Sequence, residues 1–281
     1  MTHRPALVAA VAASGLLAFV PAFTSSAQAA PSWASAAAAP IHPGVMAFTN
    51  GAQCTANFVF TDAVGGVYLG QAAHCSGTGG ATETDGCTSK SLPLGTPVDV
   101  RGAEHPGVLA YNSWITMQAA NEADPDTCAY NDFALIKLDA RDAGRVNPSI
   151  PVWGGPTGLG TSTGTGSQVY SYGNSKLRQG IAQLSPKTGI SLGDSGGGWT
   201  RAVYTVTPGI PGDSGSAFLN SAGQAVGVLS TLSILPIPAS NGVSDLAKAL
   251  AYAHTHRGPD VTLATGTQPF AGAAGLLRIL G

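Results

Sequence analysis

Charge is scarce in this 281-residue sequence: 13 Lys and Arg stand against 15 Asp and Glu, a net of −2. A chain so weakly and evenly charged offers no basic stripe for nucleic acid and no polybasic face for an anionic membrane. Long apolar runs are missing after the first 30 residues, so the body of the chain is not a membrane span. Cysteine is limited to four residues, with neither a Cys-x-x-Cys pair nor clustered histidine beside them. A zinc site is therefore disfavoured, and no metal or other cofactor is expected. No internal repeat is evident, and the strand-helix alternation that a parallel βαβ sheet requires is lacking.

What the sequence does hold is 38 glycines and 19 prolines, a composition suited to many turns and short strands without reaching that of a disordered chain. His3 and Arg4 make a weakly basic start, Ala6 to Val20 an apolar run short for a span, and Ala27-Gln28-Ala29 a small-residue site for signal peptidase. Residues 1–29 are thus expected to be a signal peptide, with a membrane anchor as the alternative, and the mature protein secreted, extracellular and free of membrane. No cysteine stands directly after the apolar run for lipidation, which disfavours a lipoprotein. Residues 30–40 are Ala, Ser and Pro with few large apolar side chains and read as a linker or short pro-segment. An even number of cysteines in an exported chain suggests two disulfides, for which sequence alone permits three connectivities.

Short β-type segments dominate the remainder. Ala52–Phe60 and Val67–Ala73 flank a turn at Asp62–Gly66, which puts His74 at a strand end. Ser76–Ser91 reads as a surface loop, Thr96–Val100 and Val108–Trp114 as strands, and Asp132 leads into an apolar strand ending at Leu138. A Gly- and Thr-rich connection at Gly154–Gly166 separates these from Val169–Asn174, Val203–Val206 and a strand-turn-strand unit from Ala217 to Ser230. Ser244–His254 carries Leu246, Ala247, Leu250 and Ala251 on one face and predicts a closing helix capped near Ser244 or Asp245. Residues 256–281 read as a loosely held tail.

Chemistry concentrates in three stretches: Ala72-Ala73-His74-Cys75, Asn131-Asp132-Phe133-Ala134-Leu135 and Pro211-Gly212-Asp213-Ser214-Gly215-Ser216. A serine hydroxyl is a poor nucleophile at neutral pH; it needs an imidazole to take its proton and a carboxylate to orient that imidazole. These stretches supply one of each, in the order His, Asp, Ser. On these motifs the chain resembles the secreted bacterial trypsin-like, chymotrypsin-fold serine proteases over roughly residues 41 to 255.

The resemblance implies an all-β fold of two six-stranded antiparallel Greek-key β-barrels, about 41–148 and 167–243, with the active site in the cleft between them and a short C-terminal helix. It implies a serine endopeptidase acting on peptide or protein substrates through an acyl-enzyme, with His74, Asp132 and Ser214 as catalytic residues and the backbone N–H groups of Gly212 and Ser214 as oxyanion donors. A monomer is expected. The resemblance selects Cys54 with Cys75, leaving Cys87 with Cys128; loops of 21 and 41 residues closed in this way would stabilise the fold by about 3 to 4 kcal/mol each. Members of the trypsin type often begin with Ile-Val-Gly-Gly, whereas this chain has Ile41-His42-Pro43-Gly44, which leaves the salt-bridge partner of Asp213 unassigned. The substrate pocket maps to Pro208, six residues before the nucleophile, and to Ser230, Thr231 and Leu232. None is charged, which points to a neutral, apolar or small P1 residue.

Gly-Asp-Ser-Gly occurs twice, at 193–196 and 212–215. Ser214 is preferred because a strand pair and a helix follow it, whereas Ser195 precedes three glycines and a single strand. Ser195 also fits the nucleophile elbow of an α/β-hydrolase esterase with Asp245 and His254, but Gly196-Gly197-Gly198 is a poor helix start. A secreted pseudoprotease or binding module on the same fold is the alternative from a different class.

Overall fold

The computed structural model describes residues 1–2, 31–80, 83–161, 163–233 and 238–280, so nearly all of the expected signal peptide lies outside the described residues. The first body contains β1 (Met46–Thr49), β2 (Ala52–Thr55), β3 (Val59–Asp62), β4 (Val67–Gln71), β5 (Pro97–Val100), β6 (Gly107–Asn112) and β7 (Ala134–Lys137). Their antiparallel pairing runs β3-β4-β7-β6-β5-β1-β2. Only Ala56-Asn57-Phe58 separates β2 from β3, and this link stays paired on both sides. Ala56 accepts from the Gly44 N–H and donates to the Val45 carbonyl, and on the other side the Asn57 N–H donates to the Gly70 carbonyl and Phe58 accepts from the Gly70 N–H. β2 and β3 are therefore two halves of one bent strand that closes the first six-stranded barrel.

The second body comprises β8 (Gln168–Tyr172), β9 (Pro186–Ser195), β10 (Thr200–Val206), β11 (Ala217–Asn220), β12 (Ala225–Ser233) and β13 (Ser240–Asp245), closed in the order β10-β13-β12-β11-β8-β9. The two-barrel architecture expected from the motifs is present. The helix α3 (Leu246–Thr255) follows, with Asp245 accepting from the Lys248 N–H as its N-cap.

Period-two burial explains the first barrel: β5 turns Val98 and Val100 inward and leaves Pro97 and Asp99 outside. They join Ile41, Val45, Val59, Leu69, Leu109 and Ile136 in one core; each such side chain, fully buried, contributes about 1.5–3 kcal/mol. β7 is buried on both faces. Ala134 and Ile136 point into that core, whereas Phe133 and Leu135 pack outward into a layer shared with Trp153, Tyr170, Leu219 and Leu246. This layer joins the barrels, and the Trp153 indole N–H donates to the Ser171 carbonyl at 2.6 Å.

Four segments differ from their sequence reading. The strand expected over Val108–Trp114 stops at Asn112, whose side chain caps α1 (Ser113–Ala120) by accepting from the N–H groups of Trp114 and Ile115. A second helix, α2 (Pro125–Tyr130), starts at the Asp124 cap with proline in its first turn. Residues 31–40 are packed rather than strung out: Ala34 pairs with Val146 (N···O 2.9 Å), the Asn147 amide donates to the Ala34 carbonyl at 2.7 Å, and Trp33 lies against the first core. Residues 256 onward are likewise held, because β14 (Val261–Leu263) adds to β3 and Phe270 stacks edge-on against Tyr170. Both of these segments dock in part through backbone pairing, which composition does not reveal. No helix among the described residues is long and apolar enough to cross a membrane.

Candidate active site

His74 sits in the 3-10 turn Ala73–Ser76 just after β4, fixed by the Cys54–Cys75 disulfide and by the Asn112 amide on the Ala73 carbonyl. Asp132 lies between α2 and β7. Its neighbours are pinned by Ser113, whose hydroxyl donates to the Asn131 carbonyl at 2.6 Å and accepts from the Phe133 N–H at 3.1 Å. The second disulfide, Cys87–Cys128, ties α2 to the loop after His74, so both pairings agree with the expectation and no free thiol remains.

Asp132 is buried and grips His74 twice, accepting from its backbone N–H at 2.9 Å and facing its Nδ1 at 2.7 Å. An ionised carboxylate only accepts, so Nδ1 carries the proton and Nε2 is left basic. A third bond comes from the second barrel: Ser230 Oγ donates to Asp132 Oδ2 at 2.5 Å. Ser230 is the extra residue of a β-bulge, because Leu229 pairs with Val243 and Thr231 with Gly242, and the bulge aims its side chain across the barrel interface. Burial works against the imidazolium, but the charge and hydrogen bond of Asp132 outweigh it and raise His74 above its ordinary pKa. Burial also works against the carboxylate of Asp132, and His74 with Ser230 overcomes it, holding that group below the usual range.

Ser214 lies on the turn between β10 and β11 and lines, with His74, a cavity of about 620 Å³ between the barrels. The turn needs glycine at two points. Gly212 has φ +95°, and Gly215, at φ +88°, passes so close to β2 that a Cβ would lie 2.5 Å from the Thr55 carbonyl. The Thr55 N–H in turn donates to the Ser214 carbonyl at 2.8 Å. Among the described residues, no backbone carbonyl accepts from the N–H of Gly212 or of Ser214.

The partner missing for Asp213 is supplied from within the second barrel. Arg178 Nη2 approaches its carboxylate at 2.5 Å and Lys187 Nζ at 3.0 Å, while the N–H groups of Ser175 and Ile210 donate at 3.0 and 3.1 Å. Nothing in the sequence marks either cation, since an isolated Arg and an isolated Lys carry no local motif.

Ser230, Thr231 and Leu232 form one wall of the cavity. Pro208 does not line it: the opposite wall is Gly209, Ile210 and Pro211, and the Pro208 carbonyl is turned back to accept from Arg178 at 3.1 Å. Asn241, on β13, was not foreseen. Its amide bridges the walls, accepting from the Gly209 N–H at 2.8 Å and donating to the carbonyls of Gly209 at 3.3 Å and Thr231 at 3.2 Å.

Ser195 ends β9 in an antiparallel hairpin, which is not the strand-to-helix elbow of an α/β-hydrolase. Its neighbour Asp194 pairs with the buried Arg201 at 3.2 Å. Asp245 is engaged with the same arginine, and His254 is an exposed residue facing Asp260. The esterase alternative is overturned by this fold.

No family model matches the sequence, and no curated protein matches it. Among solved structures, Thermobifida fusca protease A superposes with a TM-score of 0.52 at 18% identity, covering 80% of this chain and 99% of that one. Nocardiopsis protease gives 0.47 at 18% identity over 79% and 98%, and Cellulomonas bogoriensis chymotrypsin 0.48 at 17% over 80% and 98%. The first of these carries the assignment, and what the protein shares with it is the two-barrel fold of the chymotrypsin-like serine proteases.

Proposed function

We propose that the protein is an exported serine endopeptidase that cleaves peptide bonds through an acyl-enzyme on Ser214. The observation that carries this reading is the Ser230–Asp132–His74 hydrogen-bonded array opening onto the cavity that Ser214 lines. Ser214 Oγ attacks the scissile carbonyl carbon while His74 Nε2 takes its proton. The carbonyl oxygen becomes an oxyanion held by the N–H groups of Gly212 and Ser214, each worth about 3–4 kcal/mol in such sites. Collapse expels the amine, which receives the proton from His74, and water then repeats the sequence to free the acid and restore Ser214. Asp132 keeps the imidazole in one tautomer and steadies its charged form throughout.

Two features bear on activation and specificity. Arg178 and Lys187 occupy the role of counter-ion to Asp213, and Ile41 is fully buried in the first core, so no new amino terminus at residue 41 is required for activity. The Asn241 amide, with its carbonyl oxygen and both of its hydrogens engaged, leaves the space between the pocket walls short and uncharged. A small neutral P1 residue fits that space.

A fluorophosphonate probe, with the adduct mapped by peptide mass spectrometry, tests the reading. An adduct on Ser214 that is lost in His74→Ala and kept in Ser195→Ala is expected. Folded protein that takes no label and cleaves no peptide would make it a binding module on a protease fold.

A further inference from the structure

The second barrel carries the nucleophile loop, yet two side chains of the first barrel hold that loop at a glycine, Gly212. Gln53 and Thr55 are two apart on β2 and so project to the same side. The carbonyl oxygen of Gly212 accepts from both, from Gln53 Nε2 at 2.8 Å and from Thr55 Oγ1 at 2.8 Å.

The direction of each bond is fixed by a neighbour that can only donate. The Asn174 N–H donates to Thr55 Oγ1 at 3.1 Å, which leaves the hydroxyl hydrogen for Gly212. The Lys176 N–H donates to Gln53 Oε1 at 3.0 Å, which turns the amide nitrogen toward Gly212 and excludes the flipped orientation. Gln53 Nε2 also lies 3.2 Å from the Asn174 carbonyl, so β2, the 174–176 segment and the nucleophile loop meet at this one amide.

Gly212 needs such a hold. At φ +95° it occupies a conformation open to glycine, and without a Cβ the peptide planes on either side of it rotate at little cost. One of those planes carries the Gly212 N–H; the other carries the carbonyl that Gln53 and Thr55 bind. A Cβ on Gly212 would come within 2.4 Å of Gln53 Oε1, so the contact is close on that side as well. Arg178 and Lys187 fix the next residue, Asp213, by its side chain, and the Pro211 carbonyl, in the same peptide plane as the Gly212 N–H, accepts from Ser175 Oγ at 2.6 Å; Gln53 and Thr55 hold the plane on the other side.

We propose that Gln53 and Thr55 are positioning residues for the oxyanion hole: with Ser175 holding the Pro211 carbonyl, the first barrel, by clamping the Gly212 carbonyl, fixes the angle between the two peptide planes at Gly212 and with it the aim of the Gly212 N–H toward the cleft. The proposal rests on the serine-protease reading above. Its consequence is that the oxyanion hole is assembled by the docking of the two barrels, not by the second barrel alone.

Thr55→Val removes the hydroxyl at nearly constant volume, and Gln53→Glu keeps the acceptor for Lys176 while removing the donor to Gly212. Because a misplaced donor acts on the transition state, each variant should lower kcat about ten- to hundredfold on a peptide p-nitroanilide with alanine at P1, with KM within about threefold of wild type. Affinity for a peptide boronate should fall in parallel, the acid limb of the pH profile should stay in place, and Thr55→Ser should restore kcat to within about threefold. A purely structural role would instead lower Tm with kcat per labelled site unchanged. If the wild type is active and both Thr55→Val and Gln53→Glu keep kcat within about twofold, the clamp is refuted and the protease reading stands. If the wild type neither takes the fluorophosphonate nor turns over peptide, the protease reading falls and takes the clamp with it.

Discussion

Replacing Arg178 and Lys187 by methionine, singly and together, probes how the nucleophile loop is held from beneath. Asp213 and Lys187 are fully buried and Arg178 nearly so, and one carboxylate faces two cations at 2.5 and 3.0 Å. A unit-charge pair at 3 Å gains about 5 kcal/mol at an effective dielectric of about 20, and burying each ion costs several kcal/mol, so gains and costs nearly cancel. The cations are not equivalent. Burial pulls the Lys187 ammonium down first, Asp213 pushes it back up, and the Arg178 charge lowers it again. Lys187→Met removes a strained ammonium and leaves the Arg178–Asp213 pair, so it should cost less than about 1 kcal/mol. Arg178→Met also loses the bond to the Pro208 carbonyl and should cost about 2 kcal/mol.

The double variant is different in kind, because Asp213 is then a buried carboxylate with only the Ser175 and Ile210 N–H groups for partners. Stranding a buried charge costs about 3–5 kcal/mol beyond packing losses, so the double should exceed the sum of the singles by about 2–3 kcal/mol. Equilibrium urea unfolding at pH 7 measures this, with a constant m-value as the check on two-state behaviour. Turnover should follow, with kcat in the double variant down at least about a hundredfold, since Asp213 directly precedes Ser214. Additivity within about 0.5 kcal/mol would refute the argument, because it would mean that each cation serves Asp213 independently and neither can substitute for the other.

Four further outcomes follow from the site. Since Asp132 more than offsets the burial of His74 and raises it, kcat/KM should fall in acid with a midpoint above that of an ordinary imidazole. Asp132→Asn should move that midpoint downward and lower kcat about 10⁴-fold. The same raised pKa contributes stability that is complete below the unfolded-state value and is lost as pH rises through the folded one; Tm of wild type against His74→Gln across the neutral range should converge at alkaline pH. Asn241→Gly, which deletes the bridge between the pocket walls, should raise the ratio of kcat/KM for phenylalanine over alanine at P1 at least about tenfold; an unchanged ratio would show that Leu232 or another rim residue sets the depth.

How much of this was legible beforehand divides along a physical line. His74, Asp132 and Ser214, the proposed catalytic residues, stand in short motifs with distinctive neighbours in the chain: a cysteine beside the histidine, an apolar strand after the aspartate, glycines around the serine. Such local signatures carry the family resemblance, and it was that resemblance, not the spacing of the cysteines, that implied both disulfide pairings. The residues that hold the site together are set instead by distance in space. Arg178 meets Asp213 across 35 residues, Gln53 meets Gly212 across 159, Ser230 meets Asp132 across 98. No pattern of period two or 3.6 encodes such encounters, because each element satisfies its own hydrogen bonds before the second partner arrives. Ser230 marks the boundary between the two kinds. Its assignment to the pocket was implied by the family resemblance of its stretch, but its bond to Asp132 depends on a bulge in β12, and a bulge appears only once β13 is paired alongside. Pro208 was misplaced for the same reason: a count of six residues back from Ser214 fixes a position in the chain, whereas Arg178, drawn in by Asp213, turns the Pro208 carbonyl away from the cleft and leaves Gly209 to form the wall.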